Sequence, residues 1–208
     1  MKAVTLDLAI LVADADYEAS LDTLLSSRTQ ALGIRSVSFK LIRALRHDPD
    51  VRLHAADYLR AFLHQVTYAL VLFDKEGSGR ENLSTEELEL EVKQSLEENG
   101  WENRCEVIVL EPELEVWVWS NSPHVAEALG LEHHRLREVL ERFSRNNLGK
   151  PNRPKEALQE CLRVANKPRS AAIFRQLAQR VSIQTCQDRA LKKLCVTLQT
   201  WFPQFGSL

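Results

Sequence analysis

Carboxylates recur at the ends of apolar runs in this chain. Leu8-Ala-Ile-Leu-Val12 runs into Asp14 and Asp16, Val66-Thr-Tyr-Ala-Leu-Val-Leu-Phe73 into Asp74 and Glu76, and Val107-Ile-Val-Leu110 into Glu111, Glu113 and Glu115. If these runs are parallel strands of one sheet, their carboxyl ends share an edge, and that is the edge on which such sheets build sites. Acids that converge there repel and raise one another's pKa, so a cluster needs a cation or a shared proton. A donor set made only of oxygen favours a hard divalent ion such as magnesium or manganese. Asp74 and Glu76, with Asp14 or Asp16, are the expected ligands. Read as a continuing strand, the 111–115 segment puts its three glutamates on one face, of which Glu111 and Glu115 are favoured for a catalytic role and the rest for a solvated edge.

Other chemistries find less support. The six histidines are scattered, with no His-Glu-x-x-His spacing, and there is no nucleophile elbow, P-loop or dinucleotide-binding glycine fingerprint. Cys105, Cys161, Cys186 and Cys195 form no Cys-x-x-Cys pair and read as reduced packing residues. A basic set, Arg142, Arg145, Lys150, Arg153 and Lys155, surrounds a loop that also carries Asn146, Asn147 and Asn152. Lys150, Arg153 and Lys155 are the candidates for contact with a phosphate backbone, while Arg137, Glu138, Glu141 and Arg142 pair at helical spacing as a solvated face would. Trp117 and Trp119 are read as core, with base stacking or partner contact as the alternative.

The elements that must position these residues follow from periodicity. A buried strand over 4–12 and a helix over 17–32 open a βαβ unit, and 36–42 alternates as a half-exposed strand does. Residues 46–50 read as a loop and 55–65 as a helix. The most apolar strand, 66–73, precedes a glycine-rich loop, a helix capped by Ser84 that ends at Gly100, and a strand over 105–110. Beyond residue 120 the pattern is helical: 125–129 capped by Ser122 or Asn121, then 132–146, a helix opened by Pro154, and stretches over 170–180 and 186–202. The fold class is therefore α/β, an open and mostly parallel Rossmann-like sheet with helices on both faces and a helical C-terminal extension.

Charge divides the chain in the same place. Residues 1–120 hold 12 Lys+Arg against 22 Asp+Glu, a net −10, and residues 121–208 hold 15 against 7, a net +8. An α/β domain over 1–120 and a basic helical extension over 121–208 packed on it are the expected units. The positive part either meets a polyanion or attracts the acidic part. No apolar run is long enough to span a bilayer, and Met1-Lys-Ala-Val-Thr-Leu-Asp7 does not fit a secretory signal, so the expectation is a cytoplasmic protein with no membrane partner.

The Asp74-Lys75-Glu76 pattern after a buried strand resembles the acid-x-acid motif of TOPRIM-fold proteins. Glu111-Pro-Glu-Leu-Glu-Val-Trp117 is similar to the Glu-rich, Trp-containing stretch of small TOPRIM-like proteins encoded in bacterial defence islands, and Pro154-Lys-Glu-Ala-Leu158 resembles their C-terminal helical part. In outline the likeness covers residues 5 to 202. It implies a magnesium-dependent, nucleic-acid-processing protein of an anti-phage system, a nuclease by reaction class. The other function compatible with it is a catalytically inactive accessory subunit that binds an ATPase or methylase of the same system. The family pattern has a glutamate followed by glycine directly after the first strand, where this chain reads Val12-Ala-Asp14-Ala-Asp16.

Overall fold

The computed structural model describes residues 6–204 except 121, 181, 182, 184 and 185, so residues 4 and 5 of the expected first strand and the candidate cap Asn121 lie outside the described residues. Four strands, β1 (Leu6–Val12), β2 (Phe39–Arg43), β3 (Val66–Asp74) and β4 (Cys105–Leu110), form one sheet in the order β2-β1-β3-β4. Every pairing is parallel, with Ile10 opposite Leu41 and Leu70, and Val71 opposite Val107. A parallel sheet covered on both faces needs apolar side chains in both directions, which is why Leu8 to Val12 and Ala69 to Phe73 are buried without alternation. β2, at one margin, is only half-buried.

Helix α1 (Ala15–Ser27) follows β1 and is succeeded by the short α2 (Thr29–Leu32), which ends at Gly33 in the left-handed region. The expected 17–32 helix is thus two helices. α3 (His47–Leu59) occupies residues expected as a loop, with Pro49 and the acids Asp48 and Asp50 in its first turn, both favourable there. α4 (Thr85–Leu96) begins with the capping box of Ser84 and Glu87. α3 packs on β1, β3 and α4, and α4 on β4; with the right-handed crossovers that parallel strands require, the strand order puts α1 on one face of the sheet and α3 and α4 on the other.

The remaining helices are α5 (His124–Leu129), α6 (His133–Leu140), α7 (Pro154–Val164), α8 (Ala171–Arg180) and α9 (Arg189–Trp201). α8 lies against α1 and α5, and α7 against α6. α9 guards the outer margin of β4: Arg189 and Lys193 donate to the carbonyls of Val109 and Val107 at 3.0 and 2.8 Å, and Glu89 of α4 accepts from the Val109 amide. A row of open backbone groups on an edge strand is thereby occupied. The far end of α9 reaches the sheet through Trp201, stacked on Tyr68 of β3 with ring centroids 4.5 Å apart. No described helix is long and apolar enough to cross a membrane.

Candidate metal centre

β1 and β3 are paired to their carboxyl ends, but the chain leaves β1 towards β2 and β3 towards β4, so the two connections diverge and leave a crevice at that edge. Asp74, the last residue of β3, projects into it and is buried. β4 stops at Leu110, and after Pro112 the chain turns inward through a 3-10 turn, Leu114–Trp117. Glu113 takes the extended position before that turn and accepts from the Lys155 amide at 2.9 Å, while Glu115 lies within it. One carboxylate oxygen from each of Asp74, Glu113 and Glu115 lies within 4.8 Å of the others, and all three side chains are buried. The cluster can bind a metal ion. An octahedral hard cation with bonds of about 2.1 Å spaces its ligand oxygens about 3.0 to 4.2 Å apart, so the donor set fits with a small contraction.

The partners around the three acids fix their orientation. Tyr17, wholly buried in α1, donates its hydroxyl to Asp74, and the Asp74 amide donates to Asp48 at 2.7 Å. Arg169, between α7 and α8, pairs with both Asp16 and Glu115. Lys155 stands 3.5 Å from Glu113. Burial, then the neighbouring Asp48 charge, pushes Asp74 well above the usual carboxylate range. Burial raises Asp48 to about 6, and burial with the charge of Glu115 raises Glu113 to about 7. Burial also raises the Tyr17 phenol, as the Asp74 charge does, which keeps it a hydrogen-bond donor. Crowded carboxylates that hold protons near neutrality are the state a divalent ion would relieve.

The expected site residues are dispersed more than their motifs suggest. Asp74 and Glu115 belong to the cluster. Asp14 instead caps α1, accepting from the amides of Asp16 and Tyr17 at 2.9 and 3.1 Å, and Asp16 is engaged by Arg169. Glu76 is exposed in the glycine turn after β3, its amide bonded to the Pro112 carbonyl. Glu111 points outward, 57% exposed, and pairs with Lys75 at 2.7 Å. The continuing strand expected over 111–115 is corrected by the 3-10 turn, which buries Glu113 and Glu115 and leaves Glu111 out. Trp117 and Trp119 are core-facing and donate to Asp188 and to the Pro154 carbonyl. Lys150 is an interior residue, 8% exposed and 3.6 Å from Asp188, whereas Arg153 pairs with Glu156 on the surface and Lys155 faces the cluster.

Sequence reasoning passed over Glu113, Asp48, Tyr17 and Arg169. Asp48 had a signal, since it follows the end of a strand as the other acids do, with Pro49 opening a helix beside it. Arg169 had none, because its role depends on the path between α7 and α8. Comparison with family models, with curated proteins and with solved structures returns no match.

Proposed function

We propose that this chain is a magnesium- or manganese-dependent phosphodiester-processing protein of TOPRIM-like type that acts on nucleic acid. One observation carries the reading: three buried carboxylates from the ends of β3 and β4 meet at the switch-point edge of a parallel sheet. Asp74, Glu113 and Glu115 hold the ion, Tyr17 orients Asp74, and Arg169 positions Glu115. When bound, such an ion polarises a phosphoryl oxygen and lowers the pKa of a water ligand. Without the ion Glu113 is raised to about 7 by burial and the charge of Glu115, so an ion bound there would displace its proton. Lys155, half-exposed beside the cluster, and the exposed Arg153 would supply the positive charge that a phosphate needs. The resemblance of the 74–76 and 111–117 motifs supports an anti-phage setting.

A second reading has its own support. Arg169 already places a cation against Glu115 and Asp16, and the family's glutamate after the first strand is missing, which favours an accessory subunit that keeps the acidic crevice and binds a partner ATPase or methylase. The two readings part in one experiment, incubation of the purified chain with labelled single- and double-stranded DNA and RNA in manganese or magnesium. The nuclease reading expects cleavage that Asp74→Asn abolishes. No cleavage of any substrate, together with a stable complex on co-expression with its genomic neighbours, would establish the accessory role instead.

A further inference from the structure

A cavity of about 770 Å³ opens beside α6 and the loop that carries Lys150, and none of the clustered carboxylates lines it. Its charged lining residues are Lys150 and Arg145, both cations, and no Asp or Glu is among the described residues that line it. Three buried side-chain polar atoms among the described residues have no hydrogen-bond partner, and two of them, Lys150 Nζ and Ser120 Oγ, belong to residues of this cavity. Asp188 Oδ2, 3.6 Å from Lys150 Nζ, balances its charge but is too far for a hydrogen bond. The other oxygen of Asp188 is taken by the Leu191 amide and the Trp117 indole. Arg145 is exposed and makes no ion pair among the described residues. Trp119, Leu136 and Leu140 supply an apolar wall.

A buried ammonium with unused donors is costly unless an acceptor arrives, and a cavity of this size admits a small organic molecule. We infer that the cavity binds a small organic anion: its phosphate or carboxylate head pairs with the exposed Arg145, the Lys150 ammonium and Ser120 hydroxyl, closed to solvent in this structure, turn to donate to it, and its apolar body lies on Trp119, Leu136 and Leu140. This site is independent of the carboxylate cluster.

The test is calorimetric titration of the full chain in EDTA with phenyl phosphate, with benzoate, with inorganic phosphate and with neutral benzyl alcohol. At least one aromatic anion should bind with a dissociation constant below about 10 mM and more tightly than inorganic phosphate or benzyl alcohol. The stronger of the two names the head group. Arg145→Ala and Ser120→Ala remove atoms without ion-pair or hydrogen-bond partners and should leave the melting temperature intact, yet Arg145→Ala should weaken binding about fivefold or more and Ser120→Ala measurably. Lys150→Met should abolish binding, and Asp74→Asn should leave it unchanged, which separates this site from the metal centre. Absence of binding by both aromatic anions, or affinity unmoved by Arg145→Ala and Ser120→Ala alike, would overturn the inference.

Discussion

The hydroxyl of Tyr17 donates to Asp74 from inside the core, and the Asp48 carboxylate accepts from the Asp74 amide, so the central acid of the cluster is oriented from two sides. Partners that orient a ligand contribute to affinity much as the ligand does, and their loss typically costs 10- to 100-fold. Manganese binding followed by calorimetry should therefore be lost in Asp74→Asn, weakened about 10- to 100-fold in Tyr17→Phe, and unchanged in Glu111→Gln, whose side chain serves Lys75 on the surface. Asp74 was legible in the sequence because an acid ending an eight-residue apolar run is expensive to bury without purpose. Glu111 and Glu113 exchange their expected places because two-residue alternation holds only while a strand continues, and β4 ends at Leu110. Nothing local marks Arg169, whose partners Asp16 and Glu115 are distant along the chain.

Strands were the most readable elements, since unbroken apolar runs of strand length bounded by turns specify buried parallel strands. Helix ends were less so. The Asp48-Pro49-Asp50 start of α3 reads as a loop by composition, yet proline and acids are what a first helical turn accepts. Asp14 illustrates a residue whose element explains it: as the α1 cap, Asp14→Ala should cost about 1 kcal/mol, some 2–4 °C in melting temperature, while Asp14→Asn keeps the cap and leaves manganese affinity intact. At the other margin, Lys193 pairs with Glu89 and Glu106 and donates to Val107 of the edge strand. Its replacement by alanine removes all of these while Arg189 remains on Glu89. A loss of about 2 kcal/mol, read as a drop of about 4–8 °C, is expected in thermal denaturation.

At the scale of the molecule, the opposed charges of the two ends of the chain are answered in part within it. Arg169 with Asp16 and Glu115, Lys155 with Glu113, and Arg189 and Lys193 with Glu89 all pair basic residues beyond 120 with acids before it. The carboxylate cluster sets the pH response. Asp48 near 6 and Glu113 near 7 in the folded chain stand above the ordinary values near 4 of an unfolded one, so the folded state holds protons that the unfolded state has released. In EDTA the melting temperature should fall as pH rises from about 4 through about 7, and a divalent ion, by replacing those protons, should shift it little at pH 5 and most near pH 8. At 100 times its dissociation constant the ion adds about 2.7 kcal/mol, or roughly 5–10 °C. A melting temperature that rises across this window in EDTA would show the acids to be satisfied without an ion.

The most direct test is a crystal soaked in manganese and measured for anomalous scattering. A single strong peak about 2.2 Å from carboxylate oxygens of Asp74, Glu113 and Glu115, absent in Asp74→Asn crystals, is the expected result. Full occupancy at Glu111 or Glu76 instead, or no peak between the three buried acids at millimolar manganese, would contradict the account.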